Sequence, residues 1–300
     1  MKSGPSDRGA LLLMGVTVLI WAFNWIVMKE MASYVGPFDL VFLRYVFAFP
    51  LLFVMLWASR QTLKFPPFRL TILIGLFQMA AFACLCQFAL IDGGAGHVVM
   101  LAYTMPFWVV LLAWLLLGYR PTRRHAVGFV LAAFGLLAVI APWQGVGTLL
   151  SSILAIAGGF CWALGTVLSQ MLFQRYRVNV LNLTAWQMFL GALFTLPFVF
   201  IVPQQALEWR PEVIWGLAYM AVMASAVGWG LWLMVVRRVS ATIAGLSSLG
   251  VPVLAVILAW ILLAERPTAL ELLGVVLMLA GLVVVNWSSA RPERVPESPV

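Results

Sequence analysis

The sequence predicts an all-α, polytopic membrane protein of ten transmembrane helices, built from two inverted five-helix repeats. Three observations lead to this fold class. The 300-residue chain is 64% hydrophobic and only 9% charged, whereas a soluble domain carries about a quarter charged residues. Its apolar residues form runs that are long enough to cross a bilayer. A stretch near the middle of the chain also recurs near its end, which indicates an internal duplication.

The apolar runs define ten predicted spans, each close to the roughly 20 residues that a helix needs to cross the hydrocarbon. Their boundaries carry helix-breaking pairs such as Gly36-Pro37, Pro66-Pro67 and Gly93-Gly94. The first run is longer than a signal-peptide core and no clear cleavage site follows it, so we expect it to remain as a span. The predicted spans run near 10–29, 37–58, 70–91, 97–118, 125–142, 148–173, 181–202, 212–236, 242–263 and 269–288.

The duplication is clearest where residues 106–139 align with residues 252–285. Arg120-Pro121-Thr122 then falls on Arg266-Pro267-Thr268. Each copy has five spans, an odd number, so the two copies must enter the bilayer from opposite sides. We therefore predict a first five-helix repeat over residues 1–145, a second, inverted repeat over 146–288 and a disordered cytoplasmic tail over 289–300.

The distribution of the 18 Lys and Arg residues predicts the orientation. With the N-terminus in the cytoplasm, only Lys29, Arg210 and Arg266 fall on the opposite side, which also collects most of the acidic residues. Cytoplasmic loops of membrane proteins carry such an excess of cations. Charge and repeat parity are independent arguments, and they predict the same topology, with both termini in the cytoplasm.

With these features the chain resembles the drug/metabolite transporter superfamily, in its ten-helix EamA branch, over about residues 10–288. The resemblance is carried by the two five-helix halves, by the Trp-Ala pairs at Trp21 and Trp162, by Arg44 in the second span and by the Pro-bearing fourth span that ends in Arg-Pro. Within the family the chain is similar to amino-acid exporters of the YddG type. The resemblance implies a secondary transporter of the bacterial cytoplasmic (inner) membrane that works by alternating access.

The chain departs from the family pattern at one of the two Arg-Pro turns. Family members often carry a Glu before the basic residue in both turns. Here the second turn has Glu265, but the first has Tyr119. A charged interaction on the cytoplasmic side is therefore expected to be missing.

Two symmetric prolines, Pro106 and Pro252, point to a central binding site. Proline removes a backbone donor and displaces the carbonyl four residues earlier, which frees the carbonyls of Ala102 and Ser248. Such groups need a partner in lipid, and a water-filled cavity can supply one. A simple packing kink is the alternative interpretation of both prolines.

Arg44 is the basic residue placed deepest within a predicted span. A buried guanidinium normally faces a partner or an aqueous path, and its paired donors suit a substrate carboxylate. The alternative is a structural arginine that is tied to Asp39 or to helix carbonyls, or that reaches outward to the interface.

The other candidate site residues are neutral or aromatic, and each could instead be an interhelical hydrogen bond or bundle filling. Trp21 and Trp162 lie near the middle of the membrane, where they could form aromatic walls around a ligand. Together with Arg44, Pro106 and Pro252, the predicted substrate-binding residues are Trp21, Asn24, Gln78, Tyr103, Trp162, Gln187, Ser247 and Ser248.

The sequence argues against several other functions. It contains no phosphate-binding loop and no HExxH motif, and its two histidines and three scattered cysteines predict no catalytic triad, no metal site and no cofactor. The net charge of +8 follows from membrane topology, so nucleic acid is not an expected partner. His97 is interpreted as a helix-end donor at the interface, with proton coupling as the less favoured alternative.

The expected function is the export of small polar metabolites, most plausibly zwitterionic amino acids, with the direction implied by the family resemblance. Neutral hydrogen-bonding groups, aromatic rings and at most one cation suit a zwitterion. Sugar phosphates and nucleotide sugars, carried by other members of the superfamily, would require several basic residues, and they form the first alternative. Efflux of drugs or of other metabolites is the second.

Overall fold

The computed structural model describes residues 5–118, 123–140, 148–236 and 250–286. The predicted site residues Ser247 and Ser248 and the predicted C-terminal tail lie outside these residues. Throughout the described ranges the regular secondary structure is helical, which confirms the predicted all-α class. We number the helical elements α1 to α10 in chain order.

Within the described residues, seven of these elements are single helices. They are α1 (Pro5–Met31), α2 (Pro37–Ala58), α5 (Arg123–Ile140), α6 (Leu149–Arg175), α7 (Val180–Ile201), α9 (Gly250–Leu263) and α10 (Ala269–Asn286). The other three are composite. Element α3 consists of Phe68–Ile74, Gly75–Ala81 and Phe82–Asp92, α4 of Ala95–Ala102 and Met105–Leu117, and α8 of Pro211–Ala218, Tyr219–Val227 and Gly228–Val236.

The helices begin at residues suited to that position. Thr148 accepts a hydrogen bond from the Ser151 backbone N–H at 3.1 Å and caps α6. Asn179 caps α7 by accepting from Leu181 N at 2.8 Å. These side chains satisfy backbone donors that the first helical turn leaves without partners. Several other elements start with a proline in the first turn, where its missing N–H costs nothing.

Within the described residues, seven segments are long and apolar enough to cross a membrane, judged by length and composition. They belong to α1, α2, α3, α4, α6, α7 and α8. Shorter apolar helices cover part of the remaining predicted spans, at Ala126–Gly135, Gly250–Leu263 and Ala269–Gly281. A multi-pass membrane protein is therefore confirmed, and the count of ten crossings stays a prediction.

Helix packing between the two halves follows a twofold pattern. Three pairs join helices with equivalent places in the two halves: α2 with α7, α4 with α9, and α5 with α10. Other contacts between the halves come in equivalent pairs. Element α3 of the first half packs on α6 and α7 of the second half, and α8 of the second half packs on α1 and α2 of the first. Exchange of the halves thus reproduces the major helix contacts, as expected for two repeats of one unit.

Small residues allow the closest of these approaches. A Cβ atom added at Gly135 of α5 would lie 2.7 Å from the carbonyl oxygen of Gly274 in α10. The two glycines therefore bring the helix backbones into direct contact, which is how membrane helices gain packing energy without a hydrophobic drive.

A π-helical segment interrupts the third helix of each half. The first covers Gly75–Ala81 in α3, and the second covers Tyr219–Val227 in α8. A π-helical turn is rare and occurs frequently at functional sites. Its recurrence at equivalent places in both halves indicates that the wider turn belongs to the architecture of the repeat.

The fourth helix is more strongly interrupted than the predicted kink. Its first half ends at Ala102, a turn covers Tyr103 and Thr104, and Pro106 is the second residue of the next helical segment. The threonine side chain stabilises this break, since Thr104 Oγ1 donates to the Leu101 carbonyl oxygen at 2.7 Å. Pro106 is therefore a helix start rather than a mid-helix kink. Pro252 is buried within α9, whose description begins at Gly250.

Several connections meet at one end of the bundle, which we call the Glu265 end. Glu265, which follows α9, accepts hydrogen bonds from the backbone N–H groups of Ala95 at 3.0 Å and Gly96 at 3.3 Å. Lys29 of α1 donates to the Leu90 carbonyl oxygen at 2.7 Å. These contacts tie α1, α3, α4 and α9 together at the end that the sequence places on the non-cytoplasmic side.

A cavity between the two halves as the candidate functional site

A cavity of about 100 Å³ lies between the two halves of the bundle. This is room for several water molecules or a small solute. Six of the predicted site residues line it, and they come from five different elements: Trp21, Asn24, Arg44, Gln78, Tyr103 and Trp162. The other lining residues are Trp25, Met28, Tyr45, Met79, Phe82, Ala83, Ala102, Met105, Trp229 and Trp232.

Arg44 is the charged residue of this lining. Its Nε atom donates to Ser225 Oγ at 2.9 Å, and its Nη1 atom lies 3.9 Å from the sulfur of Met28. Ser225 belongs to the π-helical segment of α8 and is fully buried. Among the described residues Arg44 forms no ion pair, so the predicted alternative of a pairing with Asp39 is not observed.

Asn24 presents an unsatisfied acceptor in the same region. Its Nδ2 atom donates to the Met28 sulfur at 3.1 Å, but its buried Oδ1 atom has no hydrogen-bond partner among the described residues. A buried polar atom without a partner is destabilising by about 1–3 kcal/mol. Such an atom in a cavity lining is therefore well suited to receive a donor from a ligand.

Met28 brings these two groups together. Its sulfur contacts both Asn24 Nδ2 and Arg44 Nη1. A free acceptor and a guanidinium consequently lie within reach of one small molecule. A zwitterion could place its carboxylate on Arg44 and its ammonium group on Asn24 Oδ1.

Tryptophan rings form one wall of the cavity. The ring of Trp21 lies 5.8 Å from that of Trp229 and 5.6 Å from that of Trp232, measured between centroids. Its Nε1 atom donates to the Ala224 carbonyl oxygen at 3.0 Å, in the π-helical segment of α8. A Cβ atom added at Gly228 would lie 2.6 Å from that Nε1 atom, so this glycine makes room for the indole.

A second polar cluster lies around the other π-helical segment, Gly75–Ala81. Gln78 of α3 donates to Thr166 Oγ1 at 3.1 Å and accepts from Gln187 Nε2 at 3.2 Å. Gln187 is buried and does not line the cavity itself. Its hydrogen bond to Gln78 helps to position that lining side chain. The sequence had predicted Gln187 in the binding surface itself.

The proline prediction is met only in part. Ala102, whose carbonyl Pro106 was predicted to free, lines the cavity. A Cβ atom added at Gly159 would lie 2.6 Å from this carbonyl oxygen, so α6 also packs directly against it. Pro252 is not in the lining, which removes it from the predicted binding surface.

Sequence reasoning missed several lining residues. Trp25 and Met28 follow Trp21 at intervals of four and seven, the spacing of one helix face, and this stripe could have been found. Trp229 and Trp232 gave no such signal, because they belong to a continuously apolar run. The partnership of Arg44 with Ser225 joins residues far apart in the chain, and local sequence contains no information on it.

The described residues include no group of three or more His, Cys, Asp or Glu side chains that could hold a metal ion. The lining of the cavity offers hydrogen bonds, one guanidinium and aromatic faces. This chemistry fits the reversible binding of a small solute.

Residues 8–141 and 149–287 match the EamA-like transporter family. The chain belongs to this family. It is therefore a multi-pass membrane transporter of the drug/metabolite superfamily with a small-molecule substrate, as the sequence resemblance predicted.

Relatives with assigned names support the same class. An uncharacterized transporter, YoaV of Bacillus subtilis, is 26% identical, covering 91% of this chain and 95% of the relative. Probable amino-acid metabolite efflux pumps of Salmonella typhimurium and Escherichia coli are 28% and 29% identical, covering 90% and 94% of this chain and 92% and 97% of the relatives. A crystal structure of another protein superposes with a TM-score of 0.68 at 18% identity, covering 95% of this chain and 99% of that chain, which shows a shared fold.

Proposed function

We propose that this EamA-family transporter exports small zwitterionic amino acids across the bacterial cytoplasmic membrane. The observation that carries this proposal is the convergence of Arg44 Nη1 and Asn24 Nδ2 on the Met28 sulfur, beside the Oδ1 atom of Asn24 that has no partner among the described residues. The two ends of an α-amino acid are separated by a single carbon. A guanidinium and a free amide oxygen that lie close together can therefore bind both ends at once.

The electrostatics of the cavity favour a zwitterion over a polyanion. Among the described residues of the lining, Arg44 is the one cationic group. A sugar phosphate carries about two negative charges near neutral pH, and its burial beside a single guanidinium would leave charge without compensation. This argument weighs against the sugar-phosphate and nucleotide-sugar alternatives.

Alternating access is the proposed mechanism. The two halves exchange helix contacts in a twofold pattern, and the cavity lies between them, as in transporters that rock one repeat against the other. A buried cluster that includes Met31, Val35, Leu40, Leu90 and Val98 fills the space toward the Glu265 end. We infer that the structure represents a conformation closed at this end.

The orientation rests on charge. We propose that both termini lie in the cytoplasm and that the Glu265 end faces outward, as the cation distribution predicts. Export, rather than import, is supported by the names of the efflux pumps that resemble this chain.

Counterflow in proteoliposomes tests this function. Vesicles that contain the purified protein and an excess of one unlabelled amino acid are diluted into a trace amount of the labelled compound, across a panel of amino acids. The proposal predicts transient accumulation of at least one zwitterionic amino acid. The Arg44→Gln variant, which is expected to bind with lower affinity, serves as the matched comparison. Accumulation of a sugar phosphate without any amino-acid counterflow would support the alternative and contradict the proposal.

A further inference from the structure

Five exposed basic residues lie together at the end of the bundle opposite the Glu265 end. They belong to two connections, one from the end of α2 to the start of α3 and the other from the end of α6 to the start of α7. We call this surface the basic patch, and its members are Arg60, Lys64, Arg69, Arg175 and Arg177. It shares no residue with the lining of the substrate cavity.

Hydrogen bonds hold the two connections together. Asn179 Nδ2 donates to Gln61 Oε1 at 2.9 Å, and Asn182 Nδ2 donates to the Lys64 carbonyl oxygen at 2.9 Å. The connection that follows α2 is therefore fixed to the start of α7. This attachment brings the cations of both connections onto one surface.

The segments that form the basic patch supply no acidic counterpart. Between residues 40 and 207 the sequence has a single acidic residue, Asp92, and this residue ends α3 at the Glu265 end. None of the five cations forms an ion pair with a described residue. Like charges on one surface repel each other, so an anion from outside the chain would stabilise this arrangement.

Two of the five cations occupy positions that the adjoining helix disfavours. Arg60 follows α2 with a φ of 52°, in the left-handed region that favours glycine. The Gln61 N–H bonds to the Leu56 carbonyl oxygen and the Arg60 N–H to the Trp57 carbonyl oxygen, at 2.9 and 3.0 Å, which is the pattern of a helix end that usually carries glycine. Arg69 is the second residue of α3, where the positive end of the helix dipole repels a cation.

Neither helix stability nor membrane insertion explains these two positions. Insertion favours cations in the connections on this side of the membrane. A basic residue at a neighbouring position, without the left-handed backbone of Arg60 or the helix start of Arg69, would serve insertion equally well. The two positions therefore indicate a requirement for cations at this surface itself.

Exposed apolar side chains lie beside these cations. Leu63, Phe65 and Phe68 are 43%, 37% and 67% exposed, and they alternate in the chain with basic residues of the patch. The Phe65 ring lies 4.7 Å from the ring of Trp186 in α7, measured between centroids. A site for a water-soluble anion would gain nothing from exposed phenylalanines. Cations interleaved with apolar side chains fit the boundary between lipid headgroups and acyl chains.

We propose that the basic patch binds the headgroup phosphate of an anionic phospholipid, such as phosphatidylglycerol, while Phe65 and Phe68 contact the adjoining acyl chains. Each basic residue at a membrane surface increases the affinity for anionic lipid by about fivefold. The bound phosphate reduces the repulsion among the cations of the patch. The proposal concerns a surface separate from the substrate cavity, and it does not rest on the proposed transport function.

Native mass spectrometry of the full-length, delipidated protein in detergent tests this inference without a transport assay. Dioleoyl phosphatidylglycerol or dioleoyl phosphatidylcholine is titrated into the protein, and the affinity for the first bound lipid is obtained from the intensities of free and bound protein. The two lipids share their acyl chains and differ in headgroup charge. We expect the phosphatidylglycerol to bind at least about tenfold more tightly, with a difference that narrows as the ammonium acetate concentration rises.

Two substitutions that suit the local backbone make the test specific. Arg60→Gly fits the left-handed conformation, and Arg69→Gln removes a cation from a helix start, so the delipidated variants should keep or exceed the thermal stability of the wild type. Each variant should bind phosphatidylglycerol about fivefold more weakly and phosphatidylcholine equally well. Arg266→Gln is the matched control, because it removes one exposed cation at the Glu265 end and should leave both affinities unchanged.

Three results would overturn the inference. The first is equal affinity of the wild-type protein for the two lipids. The second is an effect of Arg60→Gly and Arg69→Gln on phosphatidylglycerol binding that is no larger than that of Arg266→Gln. The third is displacement of the lipid by inorganic phosphate at an ionic strength that acetate tolerates without effect, which would assign the patch to a soluble anion. Failure of amino-acid counterflow would contradict the proposed function alone.

Discussion

Ser225 Oγ accepts a hydrogen bond from Arg44 Nε at 2.9 Å, which connects the second helix of the first half with the π-helical segment of the second half. The reciprocal contact is also present. Gln187, in the second helix of the second half, donates to Gln78 in the π-helical segment of the first half at 3.2 Å. One half places a cation where the other places a neutral amide. The twofold scaffold thus supports an asymmetric site, as a zwitterion with two different ends requires.

Replacement of Arg44 tests its proposed role as the carboxylate partner. Arg44→Gln removes a charge-assisted hydrogen bond, a contribution of about 1.5–3 kcal/mol, so apparent affinity should fall by about 10- to 150-fold. Competition by unlabelled amino acid in the counterflow assay measures this change. Gln187→Ala is the matched control, because it alters the equivalent neutral position outside the lining and should affect stability more than affinity. Equal affinity in wild type and Arg44→Gln would remove Arg44 from the site.

Asn24 provides a test that separates stability from function. Asn24→Leu removes the buried, unsatisfied Oδ1 atom with little change in volume. We expect the thermal stability of the purified protein to be retained or raised, since an unsatisfied polar atom is destabilising by about 1–3 kcal/mol, while amino-acid counterflow is lost.

Asn182 supplies the control for this substitution. Its Oδ1 atom is also buried without a partner, but the residue lies outside the cavity and donates to the Lys64 carbonyl oxygen. Asn182→Leu should therefore leave substrate affinity unchanged. Unimpaired transport by Asn24→Leu would show that Oδ1 does not receive the substrate.

Two glycines of α8 form a matched pair for the tryptophan wall. A Cβ atom at Gly228 would lie 2.6 Å from Trp21 Nε1, whereas one at Gly230 would meet nothing within 4 Å. Gly228→Ala should displace the Trp21 indole, destabilise the protein by about 1–3 kcal/mol and reduce flux. Gly230→Ala should do neither. Thermal unfolding and counterflow measure both effects, and similar behaviour of the two variants would contradict this account of the wall.

The inverted topology can be tested at two aligned positions. Arg123 and Ala269 are equivalent in the two halves, and both are exposed at the start of a helix. Single cysteines at these positions are treated with a membrane-impermeant maleimide in intact cells. Ala269→Cys should react from outside, and Arg123→Cys should react only after permeabilisation. Reaction of both from the same side would refute the inverted arrangement.

The general fold could be predicted from the sequence because its causes are local. Runs of apolar residues, helix-breaking pairs and the alignment of Pro106 with Pro252 depend on neighbouring residues or on simple repetition. The same local logic placed Trp21, Arg44 and Tyr103 at a depth where a cavity could form, and the structure brings them together.

The remaining features depend on packing between distant segments. The local sequence does not predict the π-helical turns, because Gly75–Ala81 and Tyr219–Val227 are as apolar as their neighbours. His97 was interpreted as an interfacial helix-end residue, yet it is buried against Glu271, which lies 174 residues away in the chain. This burial results from the packing of α4 against α6 and α9. Contacts between helices this far apart in the chain cannot be predicted from local patterns in a single sequence.

If one cavity binds both charged ends of an amino acid, analogues that lack one end should bind more weakly than the parent compound. For an amino acid active in counterflow, inhibition constants are measured for the parent compound, its carboxamide, which lacks the carboxylate, and its des-amino acid, which lacks the ammonium group. We predict that each analogue binds wild type at least about tenfold more weakly than the parent, and that Arg44→Gln no longer distinguishes the parent from its carboxamide. Equal binding of all three compounds to wild type would contradict the account.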